Sequence, residues 1–354
     1  MRILDLYLVF SFWRAFVLLS AVLGVLFGFF DFLRQLDDVG QGSYTLGKAL
    51  LFVALTSGGR LYDLLPIISL LAALTSLGGL ADKNEILAMQ ASGMTRLRIG
   101  GVVMAGLGCL LCLGVALEEF VFPRAEHQAW LLRARALATK DITPYEGGFW
   151  AKEGSSFIRV ETVHGKDLLL GIEIFIFDEE DRLKSFIEAA KGRALDREWI
   201  LEGVTIREFL PGKIKEKRLA QFKWPVLLKS NQIEILTLPP EFLSIRQLLR
   251  YQALLRQGGQ NYYQYALLIW QKVATPFTSL AMLFLALGFV FGPVREKGMG
   301  FRLSLGTLFG LSAYLGQEIL SHVGMVFNFS APLIAFIPTL LISGLALWRF
   351  SKLY

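Results

Sequence analysis

The chain has 354 residues, of which 54% are hydrophobic and 19% charged, and its mean hydropathy is +0.50. A soluble globular domain is about one quarter charged, so this composition predicts a protein whose main solvent is a lipid bilayer. The formal net charge of +6 does not indicate nucleic-acid binding, because most Lys and Arg lie at the ends of apolar runs, where they anchor helices in a membrane.

Six apolar runs are long enough to cross about 30 Å of hydrocarbon, which takes roughly 20 helical residues. The predicted spans are residues 7–30, 62–80, 99–117, 265–291, 301–320 and 331–348. The first run lacks a small-residue cleavage site, so it is predicted to be a retained helix rather than a signal peptide. The second span could begin earlier, because residues 46–57 are also apolar.

Between the third and fourth spans, residues 142–238 have the pattern of soluble β-structure. Apolar and polar residues alternate over 157–163, 171–177 and 199–209, as they do in half-buried antiparallel strands. A sandwich or jellyroll would bury such strands, and residues 243–257 then have the apolar spacing of a short amphipathic helix. The predicted parts are residues 1–135 with three spans, residues 136–240 as the β-domain, and residues 241–354 with a connecting helix and three spans.

Basic residues in short loops orient the chain, because they favour the cytoplasmic side of a membrane. One side holds Arg2, Lys83, Arg96, Arg98, Arg295, Lys297, Arg302, Arg349 and Lys352. On the other side the loops are acidic on balance or lack Lys and Arg. The prediction is an α-helical membrane protein with six transmembrane helices and an inserted, jellyroll-like all-β domain. Both termini would be cytoplasmic, and the β-domain would lie on the outer side, in the periplasm if the organism has one.

No motif in the chain predicts catalysis, a cofactor or a metal site. Residues 42–49 nearly fit a phosphate-binding loop, but Ala49 stands where Ser or Thr would hold magnesium. The three histidines are scattered along the chain. Polar residues within the spans lie close to span ends, where water can solvate them; they are Asp63, Gln271, Lys272, Gln317 and Glu318. We therefore expect neither an enzyme nor a nucleotide-binding subunit.

Two features favour binding to other molecules. Residues 82–93 are a predicted amphipathic helix on the cytoplasmic face, which Asp82 or Asn84 could cap and Gly93 could end. This helix is either a docking element for a cytoplasmic subunit or a simple connector. Arginines at the outer span ends could hold phosphates or carboxylates or anchor helices in the headgroup layer; they are Arg34, Arg60, Arg124, Arg133 and Arg135.

Three stretches, in order and at matching spacing, resemble the lipopolysaccharide-export permease family LptF/LptG over essentially the whole chain. They are Gln41-Gly42-Ser43-Tyr44, then Asn84-Glu85 with Met89-Gln90-Ala91-Ser92-Gly93, then Phe291-Gly292-Pro293-Val294-Arg295 with Met299-Gly300. All three look more like the LptG branch of the family than the LptF branch.

This resemblance implies a permease subunit of an ATP-driven transporter. Such a transporter extracts lipopolysaccharide from the outer leaflet of the inner membrane and passes it to the periplasmic bridge. The implied partners are an LptF-type permease, an LptB-type ATPase dimer, an LptC-type single-span protein and lipopolysaccharide. Glu85, Met89 and Gln90 would contact the ATPase. The lipid A phosphates would lie near basic residues at the outer span ends, where Arg133 falls on one such position and Arg34, Arg60 and Arg135 are further candidates.

The chain departs from the better-known enterobacterial pattern at this phosphate site. Asp31, Asp37 and Asp38 stand where that pattern shows lysines, and Trp130 stands where an arginine is expected. Divalent cations between Asp and phosphate, or compensating charges on the LptF-type partner, are two ways in which phosphate binding could be restored.

Four other readings remain open from the sequence. A membrane receptor with a periplasmic sensing domain explains the domain layout but not the number of spans. A polytopic lipid-modifying enzyme would need paired acid, base or metal groups near the outer span ends. A macrolide-exporter type permease would normally have fewer spans, and the paralogous LptF-type subunit would share the same architecture.

Overall fold

The structure, a computed structural model, describes residues 2–137, 149–153, 156–164, 168–178, 180, 182–194, 198–210, 213–225, 239–257, 261–291 and 298–351. Its helices are α1 (Arg2–Leu36), α2 (Leu46–Asp63), α3 (Leu65–Asp82), α4 (Glu85–Ala91), α5 (Arg96–Phe120), α6 (Phe122–Leu137), α7 (Ile245–Gln257), α8 (Tyr263–Phe291), α9 (Met299–Phe327) and α10 (Ala331–Ser351). The chain divides into two compact units. The first comprises Met1–Asp31, Thr56–Arg124 and Tyr263–Tyr354, and the second comprises Phe32–Leu55 and Ala125–Tyr262.

Five of the described helices, α1, α3, α5, α8 and α10, are long and apolar enough to cross a membrane. They match five of the predicted spans. Helix α9 covers the remaining predicted span and has 29 residues, but Arg302, Gln317 and Glu318 make it less apolar. The count of six crossings therefore stays a prediction.

The predicted second span, residues 62–80, is interrupted by a helix break at Leu64. Pro66 lies in the first turn of α3, where its missing N–H leaves no intrahelical bond unmade. In a continuous helix the same ring would crowd the carbonyl of Tyr62, four residues earlier. Tyr62 therefore belongs to α2, and the helix that matches the predicted second span begins at Leu65.

In the first unit, α3 is buried on nearly every side and α1 is mostly exposed. Leu70, Ala72 and Ala73 on α3 are fully buried, and α3 packs against α8 and α9. Helix α1 contacts α5 through Trp13, whose Nε1–H donates to the carbonyl oxygen of Gly106 at 3.0 Å. Since α1 leaves many large apolar side chains uncovered, this unit has the surface expected in a bilayer or against another membrane chain.

The second unit contains a six-stranded antiparallel sheet. Its strands are β1 (Phe149–Glu153), β2 (Ser156–His164), β3 (Leu168–Phe177), β4 (Leu183–Ala194), β5 (Glu198–Leu210) and β6 (Lys213–Pro225). Neighbours in the sheet are neighbours in the sequence. The predicted strands at 157–163, 171–177 and 199–209 are confirmed within β2, β3 and β5. The closure of a jellyroll stays a prediction.

Two glycines with left-handed backbone lie in the middle of this sheet, Gly171 in β3 with φ 61° and Gly203 in β5 with φ 68°. Glycine adopts positive φ without steric cost. Alternation shifts by one residue at Gly171, because Leu169 is buried before it and Ile172 after it. The apolar residues before and after Gly171 therefore belong to one core. With strict alternation along the strand, Leu169 and Ile172 would lie on opposite faces of the sheet.

Helix α7 follows a 3-10 turn at Pro240–Phe242 and begins with a reciprocal cap. The backbone N–H of Gln247 donates to Ser244 Oγ at 3.2 Å, and the backbone N–H of Ser244 donates to Gln247 Oε1 at 2.9 Å. This capping box satisfies two of the donors that a helix start leaves unpaired. The predicted helix over 243–257 is confirmed with a start two residues later.

Candidate functional sites

Helix α4 is seven residues long and ends in a Schellman motif. The N–H of Met94 donates to the carbonyl of Met89 at 3.1 Å, and the N–H of Gly93 donates to that of Gln90 at 3.0 Å. Gly93 has φ 93°, so the prediction that it ends the helix is confirmed. Asn84 occupies the N-cap position in left-handed backbone without a side-chain capping bond, so the side-chain cap predicted there is wrong.

Helix α4 presents one buried and one exposed face within the first unit. Ile86 and Met89 are 2% and 5% exposed and belong to the core, whereas Leu87 is 50% exposed. Gln90 and Glu85 are half-exposed. The Tyr7 hydroxyl on α1 donates to Glu85 Oε2 at 2.8 Å, which fixes the direction of that carboxylate. The exposed face available to a partner is therefore Leu87 flanked by Glu85 and Gln90.

Arg133, predicted to hold phosphate, is paired with an aspartate of its own chain. Its Nε and Nη2 both donate to Asp38 Oδ2, at 3.2 and 2.6 Å. The guanidinium carbon lies 5.3 Å from the ring centre of Trp130 and 5.9 Å from that of Phe52. Trp130 thus packs on the arginine at the position where a second cation was expected. The group is half-buried, with about a quarter of each charged side chain exposed.

The loop Gly40–Tyr44 holds the end of α6 that carries Arg133. The Ser43 backbone N–H and hydroxyl both donate to the carbonyl oxygen of Ala136, at 2.7 and 3.2 Å, and so satisfy a carbonyl that the helix end leaves unpaired. Gly42 has φ +53°, and a Cβ there would lie 2.7 Å from that same oxygen. Tyr44 is 1% exposed, and its burial raises the pKa of its phenol.

In the stretch that nearly matches a phosphate-binding loop, Lys48 and Ala49 contact or pack against their own chain. Lys48 donates to the carbonyl and hydroxyl oxygens of Ser43, at 2.7 and 3.0 Å. Ala49 is fully buried. The lysine therefore folds back on its own loop.

The other predicted phosphate-binding arginines differ in their surroundings. Arg60, in the first unit, forms an ion pair with Asp31, and both line a small cavity of about 10 Å³. Arg34 and Arg135, in the second unit, have exposed side chains. The acidic residues that replace the expected lysines thus include partners for Arg60 and Arg133, a pairing that residue types alone did not indicate.

The first unit also contains a buried ion pair, of which the sequence analysis identified one residue. Lys272 on α8 pairs with Glu118 on α5, and their side chains are 9% and 8% exposed. The Tyr62 hydroxyl donates to the Lys272 carbonyl at 3.1 Å. Lys272 was singled out from the sequence; Glu118 was not, because it lies one residue beyond the predicted span 99–117. Ionisable pairs at such positions in membrane proteins are commonly functional.

Comparison with known proteins gives matches over nearly the whole chain. Residues 6–352 match the family described as "Lipopolysaccharide export system permease LptF/LptG". The chain is 31% identical over 353 residues to "Lipopolysaccharide export system permease protein LptG" of Escherichia coli (strain K12), covering 99% of this chain and 98% of that protein. It is 31% identical over 323 residues to the protein of the same name from Haemophilus influenzae, covering 91% and 90%. The chain belongs to the lipopolysaccharide export system permease family LptF/LptG.

Proposed function

We propose that this chain is the permease subunit of an ATP-driven transporter that extracts lipopolysaccharide from the outer leaflet of a bacterial inner membrane. The observation that carries this function is the family match over residues 6–352. The subunit itself is not an enzyme, and ATP hydrolysis belongs to a separate partner. The relatives reported above are named LptG, which favours that branch over the LptF-type subunit and argues against a receptor.

Extraction of this lipid needs an external source of energy. Burial of hydrocarbon is worth about 0.8 kcal/mol per CH₂, so an acyl chain of a dozen carbons resists removal by on the order of 10 kcal/mol. Several such chains must leave the membrane together. A permease without its own nucleotide site therefore needs an LptB-type ATPase dimer, and the family implies an LptF-type permease and an LptC-type protein beside it.

The proposed topology has six spans, cytoplasmic termini and a periplasmic β-domain. It rests on the distribution of Lys and Arg among the short loops and on the position of the predicted β-domain, residues 136–240, between the third and fourth predicted spans. A rolled, jellyroll-like sheet is supported by the single core that both halves share and by the full burial of Ile158, Ile174 and Leu201, since one open layer leaves an apolar face uncovered.

Helix α4 is the proposed coupling helix between this subunit and the ATPase. Glu85 and Gln90 would make polar contacts, and the exposed Leu87 would supply the apolar anchor. Met89, buried beneath them, would act by supporting α4. Ion pairs tie the two helices flanking α4 to other helices of the first unit, Asp82–Arg302 from α3 to α9 and Glu118–Lys272 from α5 to α8. Displacement of α4 would therefore move several helices together.

The test is a native mass spectrum of the tagged chain, purified in mild detergent from cells that express the partner subunits. Masses for two ATPase copies, a second permease and bound lipopolysaccharide are expected. Leu87→Arg should remove the ATPase. Leu249→Arg on α7, where the leucine is 51% exposed, is the matched control and should not. A lone wild-type chain or homodimer without ATPase and lipid would contradict the proposed function.

A further inference from the structure

Asp38 neutralises the arginine that is expected to bind the lipid. One carboxylate oxygen of Asp38 accepts from both Nε and Nη2 of Arg133, so the pair as a whole carries no net charge. Two aromatic rings, Trp130 and Phe52, lie within 6 Å of the guanidinium carbon. The arginine is thus held in place before any ligand arrives, and its best hydrogen-bonding edge is occupied.

A phosphate that approaches this arginine meets a competitor. Arginine binds carboxylate and phosphate through the same planar set of donors. The incoming group must either displace Asp38 or share the guanidinium with it, and in both cases a carboxylate and a phosphate repel each other at close range. The half-buried position of the pair leaves this repulsion less screened than at an open surface.

We propose that Asp38 is a specificity-determining residue that competes with lipid phosphate for Arg133. It weakens the binding of phosphorylated lipid A at this point and favours lipid with fewer phosphates. This inference rests on the proposed function, because it takes the anionic ligand to be the lipid A headgroup. The same contact would also promote release, since a returning Asp38 re-forms the ion pair as the phosphate leaves.

A purely structural role for the pair makes a different prediction. If Asp38 served only to fasten its loop to α6, its replacement would lower stability without changing the choice of ligand. Asp38→Asn separates the two roles, because the amide oxygen can still accept from Arg133 while the charge is lost. Asp37→Asn is the matched control: it removes the same charge one residue away, and Asp37 is exposed.

The experiment uses the complete transporter in detergent, titrated with bisphosphorylated and with monophosphorylated lipid A. Asp38→Asn should tighten binding of the bisphosphorylated form about tenfold, the effect of gaining one charge-assisted interaction. The gain for the monophosphorylated form should be smaller, and Asp37→Asn should change neither by more than about twofold. In an Arg133→Gln background, the gain from Asp38→Asn should fall to no more than about twofold, because the competition for the guanidinium is gone and only charge repulsion remains.

Four results would overturn the inference. They are equal gains from Asp38→Asn and Asp37→Asn, equal gains for the two lipids, an undiminished gain with Arg133→Gln, and a gain for inorganic phosphate with none for lipid. If Asp38→Asn does not fold, Asp38→Glu provides the measurement, since a retained carboxylate should keep the weak wild-type binding, and tightening would contradict the inference. Failure of the wild-type complex to bind lipopolysaccharide at all would instead contradict the proposed function.

Discussion

The buried ion pair between Glu118 and Lys272 gives a prediction with a defined magnitude. Lys272→Met leaves the Glu118 carboxylate without its counter-charge at a site where both side chains are less than one tenth exposed. Loss of one partner of a buried pair costs about 3–5 kcal/mol, so the variant should unfold at clearly lower denaturant concentration than the wild type. The double variant Glu118→Leu with Lys272→Met should recover most of that loss, because replacing both partners with apolar groups is often neutral or stabilising.

The assay is equilibrium unfolding of the purified chain in mild detergent, with each variant compared at fixed detergent concentration. Glu173→Gln is the control, since it breaks the partly exposed Arg159–Glu173 pair, where such contacts contribute only about 0–1 kcal/mol. A loss below about 1 kcal/mol for Lys272→Met would refute the reasoning, and so would a double variant no more stable than the single one.

Three further predictions concern backbone and surface groups. Gly93→Ala should destabilise the end of α4 by about 1 kcal/mol, because φ 93° suits glycine alone, and ATPase association measured by co-purification should weaken. Gly42→Ala should lower the melting temperature by more than an ordinary loop substitution, because its Cβ would lie 2.7 Å from the Ala136 carbonyl. Hydrogen bonds from Arg218 and Arg207 lower the pKa of Glu216 from 4.5, so the stability it adds is complete above that pH and is lost as pH falls below it; melting temperatures of wild type and Glu216→Gln should converge in acid.

Much of the fold follows from periodicity in the sequence. Apolar runs longer than 18 residues and alternation over short stretches located five membrane-length helices and three strands. Strands β1, β4 and β6 were not predicted. In β6, lysines and Glu216 stand where alternating apolar residues would be expected, and among the described strands β6 pairs only with β5. The helix break before Pro66 was missed because the predicted span was drawn from residue 62 across Asp63, and the preference of Pro66 for a first helical turn was not used.

The candidate sites were predictable in residue type but not in partnership. The arginines of the outer region can be read from the sequence, yet their pairing depends on which aspartate reaches them in three dimensions, and Asp38 lies 95 residues from Arg133. Helix α4 is too short for periodicity to decide which face is buried. Leu87 and Met89 are both apolar, and packing alone shows that Leu87 is exposed and Met89 is not.

The two ion pairs on the helices that flank α4 have the same physical consequence. Arg302 is fully buried, so separating it from Asp82 would strand a charge in a region of low polarity, as separating Lys272 from Glu118 would. Both separations cost far more than a small rotation of a helix within its packing. A displacement applied at α4 is therefore met by joint movement of α3 with α9 and of α5 with α8 before either pair opens. The variants that replace Lys272 and Glu118 together test this directly, since stability should recover while the yield of transported lipid per ATP should not.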